Sequence, residues 1–288
     1  MTTPQTPQTP RQTPQTPQTP STTAQPAPLL EVTDLVVEYP RPGSRREKVR
    51  VLKGVSLDIK PGECVGLVGE SGSGKTTLGR AVLGLAPVTG GRITFDGRDI
   101  SHAGRRERRS MGSEAQVVFQ DPYTSLNPSM TIGDILSEPL TARKVPKAQA
   151  RERVSELLDQ VRLPADALGR LPREFSGGQR QRVAIARALA LQPRLIICDE
   201  PVSALDLSTQ ARVLDLFVEI QERTGVAYLF VTHDLTVVRH VSHRVAVLYR
   251  GDIVEWGDTA DVTGRPEHPY TQKLWMASPV PDPVAQAQ

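Results

Sequence analysis

Apolar residues along this chain fall into short runs separated by polar, Gly- or Pro-bearing stretches. Leu30-Glu31-Val32-Thr33-Asp34-Leu35-Val36-Val37-Glu38-Tyr39 alternates loosely and predicts a strand. Pro40-Arg41-Pro42-Gly43-Ser44 breaks it, and Val51 to Ile59 predicts a second strand closed by the Pro61-Gly62 turn. Cys64-Val65-Gly66-Leu67-Val68-Gly69 is a continuous apolar run leading into a glycine-rich segment, after which Thr76 to Gly84 predicts a helix. Val154, Leu157, Leu158 and Val161 sit at helical spacing inside a predicted helix over 146–163. Glu174 to Leu191 predicts another, Ala-rich after Arg182. Leu195-Ile196-Ile197-Cys198 and Ala227 to Val231 are apolar throughout, as strands buried on both faces are. Arg244 to Tyr249 and Ile253 to Trp256, joined through Gly251-Asp252, predict a hairpin. Strands alternating with helices imply an α/β fold on a mainly parallel sheet, with a helical insertion in the middle third.

Residues 1–28 change character. They repeat Pro-Gln-Thr with almost no large apolar side chain, so they cannot offset the entropy of folding. Disorder with polyproline II character is expected, as a tether, a ligand or a dispensable tail. The remaining chain is long enough for a sizeable core, at 38% hydrophobic and 23% charged over 288 residues. Charge narrows the partners. The net charge of +3 forms no basic block, and with 4% aromatic residues it argues against nucleic acid. No run of about 18 apolar residues predicts a membrane span, and the N-terminus lacks the pattern of a secretory signal. Two cysteines, Cys64 and Cys198, are too few for a four-cysteine zinc site; they could form one disulfide, but both lie in apolar runs, as reduced core residues do.

The chemistry concentrates first at Gly69-Glu70-Ser71-Gly72-Ser73-Gly74-Lys75-Thr76, with Thr77 behind it. This matches G-x-x-x-x-G-K-[ST] in full, between a predicted strand and a predicted helix. Backbone amides of such a loop converge on phosphate oxygens, helped by the helix N-terminus. Lys75 is assigned to the β- and γ-phosphates and Thr76 to Mg²⁺. Asp199-Glu200 closes the apolar run 195–198, where a strand end suits a metal-water site. Asp199 is expected to hold Mg²⁺ through water, and Glu200 to orient or deprotonate the attacking water. Alone, such a pair after a strand is usually a helix cap or surface turn.

Phe175-Ser176-Gly177-Gly178-Gln179-Arg180-Gln181-Arg182 resembles the signature sequence of ATP-binding-cassette (ABC) ATPases, with Phe175 where Leu is usual. Blindly read, Ser176 and two glycines before a helix are an N-cap or an anion site. Further family marks follow in order. Tyr39 is similar to the aromatic that stacks on adenine, and Gln120 to the Q-loop glutamine that ligates Mg²⁺ and water. Ser203-Ala204-Leu205-Asp206 resembles the D-loop, and His233 the switch histidine of the γ-phosphate. The other histidines (His102, His240, His243, His268) are read as structural. The resemblance covers about residues 30–260. It implies a P-loop NTPase ABC cassette: a mainly parallel core sheet, an antiparallel β part and a helical subdomain at about 125–187. The ATPase domain is taken as 29–260, followed by an extension over 261–288.

Two stretches narrow the branch. Gln120-Asp121-Pro122-Tyr123-Thr124-Ser125-Leu126-Asn127-Pro128 and Pro266-Glu267-His268-Pro269-Tyr270-Thr271-Gln272-Lys273-Leu274 resemble ATPases of dipeptide and oligopeptide importers, the peptide/nickel branch, and most the second of the two ATPases such systems carry. The resemblance implies ATP and Mg²⁺, a second cassette (identical or homologous), two transmembrane permease subunits and, indirectly, a solute-binding protein. It places the chain peripherally on the cytoplasmic face of the membrane. Each ATP would lie between one P-loop and the opposite signature, Ser176, Gly177, Gly178 and Gln179. Peptides, nickel and glutathione all remain open as cargo. A chromosome-maintenance role is disfavoured, because the interval from Lys75 to Ser176 holds neither sustained heptads nor cysteine pairs. A regulatory, non-catalytic cassette is disfavoured by Lys75, Glu200 and His233.

Overall fold

The structure, a computed structural model, describes residues 27–41, 43 and 47–277. The tail expected over 1–28 therefore lies almost wholly outside the described residues, as does the end of the extension. In chain order the elements are β1 (Leu30–Pro40), β2 (Lys48–Ile59), β3 (Cys64–Val68), α1 (Lys75–Val82), β4 (Val88–Phe95), β5 (Arg98–Asp99), α2 (Arg105–Glu114), β6 (Ala115–Val118), α3 (Pro122–Ser125), α4 (Ile132–Ala142), α5 (Lys147–Gln160), α6 (Gly177–Leu189), β7 (Leu195–Asp199), α7 (Leu207–Thr224), β8 (Ala227–Thr232), α8 (Leu235–Val241), β9 (Arg244–Tyr249), β10 (Asp252–Asp258), α9 (Thr259–Gly264) and α10 (Pro269–Ala277).

Two sheets form. The six-stranded one runs β10-β9-β3-β8-β7-β6 and is parallel except for β10. The four-stranded one, β2-β1-β4-β5, is antiparallel. Successive side chains of a strand point to opposite faces. Leu195 and Ile197 of β7, and Leu229 and Val231 of β8, therefore meet the antiparallel sheet and α1 in one cluster. Ile196, Cys198, Tyr228 and Phe230 fill a second cluster beneath the helices. Both faces are covered, which is why these strands are apolar throughout. Phe217 of α7 packs edge-on against Tyr228 and Phe230, with centroids 5.5 and 5.4 Å apart, and so seats α7 on the sheet. Cys64 and Cys198 are buried free thiols, and burial pushes Cys64 up to about 12, so it stays protonated.

Several boundaries differ from the expectation for local reasons. The helix expected from Glu174 begins at Gly177, because Phe175 and Ser176 are extended and Ser176 is the N-cap. The helix expected over 146–163 ends at Gln160, before Arg162 turns left-handed. The proline-bearing stretch 266–274, to which no element is assigned from sequence, enters helix α10 at Pro269. Helix α2 went unassigned because it buries no residue and so leaves no apolar period to read.

Candidate functional site

Strand β3 is buried at every position and lies between the parallel strands β8 and β9. It delivers the chain to Gly69 at the carboxyl end of the sheet. A Cβ at Gly69 would stand 2.1 Å from the Leu248 carbonyl oxygen of β9, so only glycine lets the loop leave the sheet so closely. The Ser73 amide donates to the Glu70 carbonyl at 3.2 Å, and the Gly251 amide donates to the Ser73 carbonyl at 3.0 Å. The β9–β10 turn thus holds the loop from outside.

Lys75, the first residue of α1, is buried. Its Nζ donates to the carbonyls of Gly69 at 2.7 Å and Glu70 at 2.9 Å. Burial lowers its pKa, opposed by the carboxylates of Glu200, Asp199 and Glu70. The Ser73 hydroxyl is buried without a partner. A polar cradle with a buried cation and an unsatisfied hydroxyl fits a phosphate ligand.

The acids arrive on β7. The Thr76 hydroxyl donates to Asp199 Oδ1 at 3.0 Å. Burial raises the Asp199 pKa, with the Thr76 hydrogen bond and the Lys75 charge opposing it. A hydroxyl beside a half-buried carboxylate is a hard oxygen pair of the kind Mg²⁺ takes. Glu200 lies one residue past the strand in a left-handed conformation, φ 48°, which costs a non-glycine residue about 1 kcal/mol. Its amide donates to the Val231 carbonyl of β8, which fixes the turn. His233 follows the end of β8, and its Nδ1 lies 3.3 Å from Glu200 Oε2. Asp234 then caps α8 by accepting from the Thr236 amide.

A cavity of about 630 Å³ is lined by Glu70, Ser71, Glu200, His233 and Asp234, and by Leu274 and Ala277 of α10. The structure therefore brings together the loop 69–76, Asp199, Glu200 and His233. Thr77 follows on α1, half-buried. Other predicted residues lie elsewhere. Tyr39 is half-buried in β1, opposite Val49 of β2. Gln120 is exposed just past β6, at the far edge of the parallel sheet. Ser176 to Gln179 open α6 and do not line the cavity. There the Ser176 hydroxyl accepts from the Gln179 amide and the Gln179 side chain accepts from the Ser176 amide, a capping box. Gly178 has a packing reason too: a Cβ would come 2.3 Å from Thr209 Cγ2 on α7. Asp206 caps α7 through the Thr209 amide, and these bonds hold its carboxyl down at about 2.

Sequence reasoning missed one contact of the loop. The Glu70 amide donates to the hydroxyl of Tyr270 at 2.8 Å, across 200 positions of chain. The stretch around Tyr270 carried a family resemblance, but nothing in it named Glu70 as the neighbour.

Residues 52–203 match the family model described as ABC transporter. A provisionally named peptide import ATP-binding protein of Brucella ovis is 50% identical over 262 residues, which is 91% of this chain and 82% of that protein. The glutathione import ATP-binding protein of Pectobacterium atrosepticum is 49% identical over 90% of this chain, which spans 42% of that longer protein. The oligopeptide transport ATP-binding protein of Mycobacterium tuberculosis is 50% identical over 82% of this chain and 39% of its own length. Among solved structures, cbiO1 of Clostridium perfringens, part of an ABC transporter complex, superposes with a TM-score of 0.74 at 28% identity, over 83% of this chain and 91% of that one. A bacterial ABC transporter cassette solved as a dimer gives 0.70 at 30% identity, over 80% of this chain and 98% of that one. The chain belongs to the ABC transporter family, of which it is an ATP-hydrolysing cassette.

Proposed function

We propose that this cassette hydrolyses ATP at the cavity between the P-loop and Glu200, and that hydrolysis drives import of small peptides through separate membrane subunits. The observation that carries the catalytic reading is the convergence of Lys75, Asp199, Glu200 and His233 at the carboxyl ends of β3, β7 and β8. In α/β sheets this end is where ligands bind.

Each residue has a role in that reading. The amides of the loop 69–76 and the start of α1 cradle the phosphates, where the helix end contributes about half a positive charge. Lys75 leaves the carbonyls of Gly69 and Glu70 for phosphate oxygens. Glu200 accepts the proton of the attacking water, and His233 contacts the γ-phosphate beside it. Tyr39 stacks on the adenine. Thr76 and, through water, Asp199 are the residues that would hold Mg²⁺, joined by Gln120; when bound, the ion neutralises charge on the phosphates. Ser176 to Gln179 face the nucleotide of a second cassette, with Asp206 in the D-loop beside them. Residues 29–260 act as the ATPase domain, with about 125–187 as its helical part.

No helix among the described residues is long and apolar enough to cross a membrane. The path for the solute then belongs to two permease subunits, and this chain works peripherally at the cytoplasmic face, indirectly served by a solute-binding protein. Peptide cargo rests on relatives at about 50% identity that are named for peptide import and oligopeptide transport. The glutathione importer at 49% keeps glutathione, a tripeptide, as a second reading. The test is reconstitution of the complete transporter in vesicles, with uptake of labelled dipeptide, oligopeptide, glutathione and nickel compared. ATP-dependent uptake of peptide is the expected result; uptake of nickel alone would overturn the cargo reading.

A further inference from the structure

The P-loop is held by a residue outside the nucleotide-binding motifs. We propose that Tyr270, on the C-terminal helix α10, is a positioning residue that sets the Glu70 peptide and, through it, the resting place of Lys75. This inference rests on the phosphate-binding role of the P-loop proposed above.

Three observations converge. First, the Glu70 peptide is engaged at both ends. Its amide donates to the Tyr270 hydroxyl at 2.8 Å, and its carbonyl accepts from Lys75 Nζ at 2.9 Å. An amide plane is rigid, so an acceptor that fixes the Glu70 N–H also fixes the Gly69 carbonyl in the same plane; the Glu70 carbonyl lies in the next plane along. Those carbonyls, of Gly69 and Glu70, are the two on which Lys75 rests.

Second, Tyr270 is itself held in place. Its ring lies 4.1 Å from that of Tyr249 of β9, and it is buried with Val68, the last residue of β3, and with Leu235, Val238 and Val247. Upstream, the amides of Glu267 and His268 donate to the two carboxylate oxygens of Glu255 on β10 at 3.0 and 3.1 Å. The start of α10 is thereby clamped to the hairpin.

Third, the same helix borders the reaction cavity. Leu274 and Ala277 line it together with Glu200 and His233. The Arg239 guanidinium of α8 lies 5.7 Å from the Trp275 ring, so α10 also touches the helix that follows His233. One C-terminal helix therefore braces both edges of the site.

Without the hydroxyl, the Glu70 amide loses its acceptor and the loop spends part of its time in other conformers. Apparent affinity falls by the fraction of competent loop. Bound nucleotide re-forms the loop, so the rate at saturation is spared. The test uses the full chain with a fluorescent ATP analogue, thermal melts, and steady-state hydrolysis in the reconstituted transporter. Tyr270→Phe keeps the ring and its packing and removes only the acceptor. It is expected to weaken analogue binding and raise KM for ATP about 5-fold, the worth of one hydrogen bond, with kcat unchanged and the thermal midpoint lowered by no more than about 4 °C. Tyr270→Ala is expected to add a lower midpoint to the same affinity loss. Wild-type affinity in Tyr270→Phe would overturn the inference and leave Tyr270 as packing. So would an affinity loss that appears only with a midpoint lowered as far as in Tyr270→Ala, or a fall in kcat at unchanged KM. Lys75→Ala separates the two levels: unchanged analogue binding in that variant would overturn the P-loop reading itself, and this inference with it.

Discussion

The P-loop and the signature segment are both glycine-bearing helix N-termini, yet the chain treats them oppositely. The P-loop is enclosed: β3 is buried, Lys75 is buried, and its loop is tied to Gly251, to Tyr270 and through Thr76 to Asp199. The signature helix α6 starts at an exposed Ser176 whose hydroxyl and amide are bonded to Gln179. One end is a site prepared inside the chain, where desolvation strengthens each polar contact. The other is a capped helix end presented outward, complete as local structure. In the proposed reading, that difference is how one chain would supply two unlike halves of a composite site.

Substitutions sharpen that contrast. The largest effect is expected at Glu200. Glu200→Gln should lower kcat about 100-fold or more, as loss of a general base does, while an ATP analogue still binds. Turnover near the wild-type rate in the assembled transporter would remove Glu200 from the base role. Next comes Lys75→Ala, which deletes charge-assisted hydrogen bonds worth about 1.5–3 kcal/mol each. Equilibrium binding to the isolated chain should weaken at least about 10-fold. Gly178→Val should behave differently. Its side chain collides with Thr209 and displaces the start of α6 from α7. Analogue binding to the isolated chain should stay within about 2-fold, whereas hydrolysis by the assembled transporter should fall about 10-fold, as P-loop and signature contacts are separable free energies. Equal loss in both assays would break the comparison.

The smallest effect concerns acid stability. Asp206 has its pKa held at about 2, below its usual 3.8, by the Thr209 amide and the hydroxyls of Thr209 and Ser208. A depressed carboxylate contributes stability that is present above the unfolded value and lost as the pH falls through the folded one. Asp206→Asn should therefore flatten the melting-temperature profile between pH 3.8 and about 2. An unchanged profile would show that the cap on α7 carries no linked proton.

Several of these features were legible in residues alone, others were not. The loop 69–76 and the acids after 195–198 are contiguous, and their chemistry demands residue types in fixed order, so they stand out in one dimension. The buried strands also declare themselves, because two covered faces leave no polar alternation. The start of α6 shifted by a few residues, since Phe175 and Ser176 suit helix and cap alike until backbone geometry decides.

By itself the sequence determined the motif order, the apolar strands, and the residue types that phosphate and metal chemistry require. Only the tertiary structure decided which distant residues hold them. Arg244 pairs with both Asp58 and Glu63, joining β9 to β2 and to the turn before β3, while its guanidinium lies 4.5 Å from the Trp256 ring. Gly178 must be small for Thr209, and the Glu70 amide waits for Tyr270. These partners meet because the sheet order places their strands and helices side by side. A contact across 200 residues leaves no periodic trace in either segment, since each was shaped by its own local burial.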